Sequence, residues 1–389
     1  MRQTCLNTVY ELAKKNKKII FIGSDLGPGV LDSFKKKYPD RFFMEGVAEQ
    51  SIIGLAAGMA FENFRPYVNT IATFITRRCF EQVVIDLCVH NLPVTLIGNG
   101  GGLVYAPLGP THQAIEDISI MRSIPNLTII SPSDAHEMKN LMLDSVNLKG
   151  PLYVRIARGG EEIITQKFKS KIGKAIKLKK SKDYYFLTTG ITNHIALEAC
   201  KFLKKSENMD CGVAHFSTIK PLDKTFLNKI IINSKKIITV EENVKAGGFG
   251  SSILEFSSEL SSTRKKADIK IMGLKDKFLD KVTKKVKDLK VGDPLDPTSN
   301  MGSMISKKHL KTVDGFIQKG IDEGAKLLFG GVSDGGKKGF YAKPTLFDDL
   351  KENMTIAQEE IFGPVLGVLT INNTEEALKV ASNSKYGLH

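Results

Sequence analysis

Between residues 18 and 158 short apolar runs alternate with stretches in which apolar positions recur at helical spacing. KIIFIGSD, RPYVNTIATF, PVTLIGNG, LTIISPSD and PLYVRIAR read as strands. VLDSFKKKY, AEQSIIGLAAGMAFEN, RCFEQVVIDLCVHN, HQAIEDISIMRSI and AHEMKNLMLDSV read as helices between them. That alternation predicts a doubly wound α/β domain, a parallel sheet covered by helices on both faces. Ligands of such sheets bind outside the carboxyl ends of the strands. The loops there are SDLGPG, ATFITRR and NGGGLVYAPLGPTHQ.

A polar stretch, GGEEIITQKFKSK, separates this unit from a second α/β block. In it YYFLTTG, GVAHFST and KIITVEEN read as strands, and NHIALEACKFLKK and SSILEFSSEL as helices. AGGFGSS joins strand to helix like a phosphate cradle, but it is not GxGxxG, and tight helix-to-sheet packing is the better reading. The third segment, from DKVTKKVKDLKVGDPLDP onward, supplies helices and single strands without a repeating βα rhythm. The expected domains are 1–165, 172–278 and 279–389.

With 42% apolar and 25% charged residues the composition is that of ordinary soluble protein. No apolar run approaches membrane-spanning length, and MRQTCLNTVYELAKKNKK lacks the apolar stretch of a signal peptide, so the expected location is the cytoplasm, without membrane contact. Five cysteines without CxxC spacing read as free buried thiols. The net charge of +14 invites a polyanionic partner, yet only nine of the 56 basic residues are arginine, and the lysines spread without aromatic interleaving. A nucleic-acid partner is therefore not expected. Eight of the nine arginines fall before residue 160, where the chemistry is expected.

FMEGVAEQSIIGLAAGM, residues 43–59, places Glu49 in the first turn of a helix apolar enough to be buried. A carboxylate there is costly without a partner or a task, although the helix dipole favours it. The segment resembles the glutamate helix of transketolase-like thiamine-diphosphate enzymes. The resemblance implies that Glu49 bonds the aminopyrimidine N1' and so lets the ring's own nitrogen take the thiazolium C2 proton. ATFITRRCFEQ is similar to the family's aromatic segment, which makes Phe74 the ring stacked on the aminopyrimidine and Arg77 an active-site cation; core packing is the alternative for Phe74. GPTHQ, residues 109–113, makes His112 a donor or proton shuttle to a sugar hydroxyl. Arg2 and Arg158 match the family's phosphate-binding arginines, while Arg155 could equally pair with a neighbouring carboxylate. Gly29, Gly100 and Leu108 depart from the family pattern and weaken the substrate assignment more than the cofactor.

The family binds the diphosphate through Mg2+ on a domain marked by GDG, and no GDG occurs here; the chain begins where that domain would have ended. It looks like the C-terminal subunit of a split transketolase. The implied function is transfer of a two-carbon ketol unit between sugar phosphates, with an N-terminal partner subunit carrying the Mg2+ ligands, in a homodimer or heterotetramer. Two relatives compete: a 2-oxo-acid dehydrogenase beta subunit and a 1-deoxyxylulose-5-phosphate synthase-like enzyme. A non-catalytic chimeric remnant is the alternative outside catalysis.

From about residue 279, VGDPLDPTSNMGSMIS, GFYAKPTLF, EEIFGPV and EEALKVASNSKYGL resemble aldehyde dehydrogenase. By that likeness Glu360 would hold the nicotinamide ribose and Phe362 would pack near the nicotinamide. The likeness requires a nucleophilic cysteine, and the sequence has none after Cys211. The Rossmann portion is missing too. The segment is expected to be an incomplete, catalytically inert α/β fragment with only a vestigial NAD site.

Overall fold

The computed structural model describes residues 1–23, 31–44, 46–157, 159–260, 266–275, 286, 288–334, 339–369, 371 and 374–383. The SDLGPG loop with Gly29, and Arg158, lie outside the described residues. The chain divides into two compact units, Met1–Phe278 and Leu279–His389.

Unit 1 is built on two sheets. In the first, β1 (Ile19–Gly23), β2 (Phe42–Met44), β3 (Arg65–Ile71), β4 (Thr95–Asn99), β5 (Thr128–Ile130) and β6 (Leu152–Ile156) run parallel in the order β5-β6-β4-β3-β1-β2. Every residue of β1, β4 and β6 is buried, as a parallel sheet covered on both faces requires. One face packs on α3 (Glu49–Phe61), through Ile52, Ile53 and Ala56; the other packs on α1 (Arg2–Lys15), through Cys5, Leu6 and Val9, and on α2 (Asp32–Lys37), through Phe34. All five cysteines are buried and free. The expected helix over 78–91 is present in altered form. It alternates between a π-helical turn Phe74–Arg78, a single α turn Phe80–Gln82 and a second π turn Val83–Cys88.

The second sheet takes β7 (Ile176–Lys179), β8 (Tyr184–Thr188), β9 (Cys211–His215), then β11 (Lys236–Val244) and β12 (Asp268–Leu274), in the order β12-β11-β8-β9-β7. The intervening strand β10 (Thr218–Lys220) leaves this domain and pairs antiparallel with β5, becoming the edge of the first sheet. The helix Ala135–Ser145 adds a second tie. Its Glu137, fully buried, meets His215 Nε2 of β9 at 2.8 Å and accepts the Ser133 N–H. Burial opposes the charge on Glu137, but His215 and the donated hydrogen bonds hold its carboxyl below the usual range. Asp134 caps the same helix at Glu137 and also accepts from the Ile164 and Thr165 N–H groups and the Thr165 hydroxyl. The polar connector GGEEIITQ is thereby bound to the first domain.

The AGGFGSS turn is filled from within. The N–H groups of Phe249 and Gly250, at the head of the helix Phe249–Glu259, donate to the two oxygens of Glu241 at 2.6 and 2.7 Å. A Cβ on Gly250 would stand 2.5 Å from Thr239 Oγ1. Close packing and a buried carboxylate occupy the place a phosphate would need.

In unit 2 the helix Lys307–Asp322, capped by Ser306, covers a three-stranded sheet of β13 (Lys326–Phe329), β14 (Thr345–Asp348) and β15 (Val365–Gly367). Val313, Ile317, Phe347, Leu350 and Ile356 form a small core. Among the described residues, no helix is long and apolar enough to cross a membrane.

Candidate active site

The carboxyl ends of β3 and β4, the head of α3 and the loop through residues 100–116 bring together most of the chemistry read from the first domain. Gly46, in the left-handed region at φ +63°, turns the chain into α3. No side chain caps that helix. Glu49 stands in its first turn, where the dipole favours a negative charge, and is only 2% exposed. Arg78 Nη1 donates to Glu49 Oε2 at 2.7 Å. The Arg78 guanidinium also lies over the Phe74 ring, with Cζ 4.4 Å from its centre. His112 meets the same ring edge-on, at 5.2 Å between centroids.

The half-buried His112 ring lies within 2.8 Å of the Thr111 hydroxyl through Nδ1. Burial first, and the Arg78 charge second, lower its pKa, so a neutral imidazole faces the site near pH 7. Such a ring can donate one proton and accept another.

Arg77 points elsewhere. Its guanidinium forms a two-point ion pair with Glu116 and donates to the carbonyls of Pro110 and Gln113. It braces the GPTHQ loop. Nothing in the apolar periodicity separates Arg77 from Arg78; both lie in the π-helical turn Phe74–Arg78, and they differ in their partners.

The same loop is fastened from below. Arg155 of β6 pairs with the buried Asp117 at 2.8 Å and donates to the carbonyls of Ala114 and Glu242, and Tyr153 Oη donates to Asp117. Glu242, from β11 of the second domain, presses on Gly102, where a Cβ would come within 2.3 Å of its Oε2. Gly100 and Gly102 both have positive φ, so this turn requires glycine. The second domain thus helps shape the loop that carries His112.

Several buried polar atoms at this end of the sheet have no hydrogen-bond partner: Asn69 Nδ2, Asn99 Oδ1, Thr73 Oγ1 and Gln113 Oε1. Asn69 and Asn99 pair with each other at 2.7 Å. Sequence reasoning passed over both, although an asparagine inside YVNTI or LIGNG is itself a signal. Orphaned polar groups beside a buried carboxylate and an aromatic face suit a flat, polar, protonatable ligand.

Arg2 heads α1, half-buried, with its Nε unpartnered; Arg158 is outside the described residues. In unit 2, Glu360 is exposed and Phe362 is 76% exposed, with φ +49° and its carbonyl accepting from His309 Nε2 at 2.8 Å.

Comparison with known proteins divides the chain similarly. The model of the transketolase pyrimidine-binding domain matches residues 1–160, that of the transketolase C-terminal domain residues 173–294, and that of the aldehyde dehydrogenase family residues 272–389. The 1-deoxy-D-xylulose-5-phosphate synthase of Clostridium perfringens (strain SM101) is 37% identical over 273 residues, 69% of this chain and 43% of that protein. Its counterpart from Halothermothrix orenii is 38% identical over 276 residues, 70% and 43%. The chain spans less than half the length of these curated relatives. Among solved structures, a split gene transketolase described as an inactive beta4 tetramer is 30% identical with a TM-score of 0.66, covering 72% of this chain and 90% of that one. A transketolase mutant from Pichia stipitis, 19% identical with a TM-score of 0.57 over 71% of this chain and 41% of its own, shares the fold.

Proposed function

The chain belongs to the transketolase family through its first two domains, and from that premise we propose that it is the C-terminal subunit of a split, thiamine-diphosphate-dependent transketolase. The observation that carries this reading is the Glu49 carboxylate, buried at the head of α3 beside the Phe74 face and the His112 ring. When bound, the cofactor supplies the thiazolium ring at which a ketol unit is cleaved and passed on. This chain's residues do the rest. Glu49 bonds the pyrimidine edge, Phe74 covers its face, and His112 exchanges a proton with a substrate hydroxyl. Arg77 keeps the His112 loop in register, and Arg2 and Arg158 take the phosphate end of the sugar.

Mg2+ and the diphosphate fall to a GDG-bearing N-terminal subunit, in a homodimer or heterotetramer in the cytoplasm. The outward side of α3 supports such assembly: Leu55 and Phe61 are exposed, as are Ile85 and Val89 nearby in the chain. The similar split gene transketolase is itself described as a tetramer. The aldehyde-dehydrogenase-like segment takes no part in catalysis.

A second reading, half of a 1-deoxy-D-xylulose-5-phosphate synthase, is favoured by the higher identity to those relatives, 37% against 30%. It uses the same pyrimidine seat on a different substrate. The test is reconstitution: the purified chain, a GDG-bearing subunit from the same source, thiamine diphosphate and Mg2+. Ketol transfer between sugar phosphates only in the mixture supports the first reading. Formation of 1-deoxy-D-xylulose 5-phosphate instead supports the second, and robust transfer by this chain alone overturns the dependence on a partner.

A further inference from the structure

One guanidinium touches both halves of the pyrimidine seat. Arg78 donates to Glu49 Oε2 at 2.7 Å while its Cζ lies over the Phe74 ring, 4.4 Å from the centre. It is a flat cation that directs an N–H at a buried carboxylate and sets its central carbon over a phenyl ring. An aminopyrimidine offers Glu49 and Phe74 those same features. Resting on the proposed function above, we propose that Arg78 is a stand-in for the cofactor's ring: a positioning residue that fills the pyrimidine seat, holds Glu49 and Phe74 in register, and is displaced when the ring binds.

Burial gives the stand-in its purpose. A carboxylate at 2% exposure is costly without a countercharge. Arg78 provides one from a neighbouring element, which lets Glu49 be placed before the cofactor arrives. The residue is also able to leave. Its side chain keeps 31% exposure, and its backbone carbonyl is held independently by Gln50 Nε2 at 3.0 Å, so the guanidinium can swing to solvent while the main chain stays. Arg77 has no such freedom, tied as it is to Glu116 and two carbonyls. Since one seat cannot hold two planar groups, ring affinity is reduced by whatever the Arg78 contact contributes.

Thiamine is the probe, because it carries the ring without the diphosphate and so requires no metal-binding domain. Its dissociation constant is measured by NMR titration into the full chain, for wild type, Arg78→Ala and Arg78→Gln. The glutamine keeps a planar polar group beside Glu49, so the comparison survives if the alanine variant misfolds. The expected result is affinity at least tenfold tighter in Arg78→Ala and an intermediate gain in Arg78→Gln. In the wild-type chain, thiamine should also shift the Arg78 Nε–H resonance to its solvent-exposed position. Unchanged or weaker binding in the folded variants, or an unmoved Arg78 resonance at saturation, overturns the stand-in while leaving the pyrimidine seat intact. Absence of saturable binding by all three proteins overturns the seat, and the stand-in with it.

Discussion

Glu49 stands out in the sequence because an acid inside an apolar helix breaks a local expectation, whereas Phe74 is marked only by the resemblance of ATFITRRCFEQ to an aromatic segment of the family. Their nearness to His112 is a matter of tertiary structure, yet follows from a parallel sheet that gathers its loops at one end. That Arg78 pairs with Glu49 was not legible. Two consecutive arginines look alike in sequence, and the fold decides which of them meets the carboxylate. If Glu49 serves the pyrimidine edge, Glu49→Gln keeps its shape but not its proton exchange, and steady-state turnover of the reconstituted enzyme should fall by about two to four orders of magnitude; wild-type turnover in the variant would dismiss the role. His112 gives a prediction independent of the cofactor. Because the Arg78 charge contributes to lowering its pKa, Arg78→Gln should raise that pKa, though burial will still hold it below an ordinary imidazole. An NMR pH titration of the His112 ring proton checks this, and a value unmoved by the substitution would show that the two groups do not sense each other.

Strands β1, β3, β4, β5 and β6 of the first sheet were legible from their apolar runs, because a strand buried on both faces has little choice of side chain. The helix α1 and the strands β7 and β12 were not read from the sequence, and other elements escaped because they are very short or contradicted by local propensity. β2 and β10 have three residues each, and the helix Lys224–Asn233 contains three consecutive isoleucines, a poor helical run rescued by packing of Ile230 and Ile231. The glycine-rich turn before the helix Phe249–Glu259 could be read either way until Glu241 was seen within it. That arrangement has a pH signature. Burial raises the Glu241 carboxyl to about 7, against the backbone hydrogen bonds that lower it. With the folded pKa above the unfolded one, the group's stabilising contribution is complete below the ordinary glutamate range and is lost as pH rises through about 7. The difference in Tm between wild type and Glu241→Gln should therefore shift against the wild type from pH 4.5 to 7.5. A difference constant across that range would contradict the assignment.

At the scale of the whole molecule, the change of character near residue 279 was visible as the end of the βα rhythm, and the division into Met1–Phe278 and Leu279–His389 falls there. The C-terminal unit has a core and a sheet of its own, but its sequence brings no thiol to attack an aldehyde. Calorimetric titration of NAD into the full chain should find no micromolar binding, that is, nothing near about −8 kcal/mol; such affinity would restore a dinucleotide site to the segment.

Strand β10 bears on where this polypeptide can be divided. A chain ended at residue 165 would keep every residue of the first domain's helices and central strands. It would also bare the backbone of β5 along the flank that β10 covers, an open template for other chains, and leave Glu137 sealed inside without His215. Such a fragment should precipitate on expression, whereas one carried through β12 to Leu274 should remain dispersed; light scattering of the two compares them directly. The boundary visible in the sequence between the two transketolase-type domains is thus not a line along which the protein comes apart. Material appended beyond Leu274 would uncover no strand of these two sheets, and the compact unit Leu279–His389 lies on that far side.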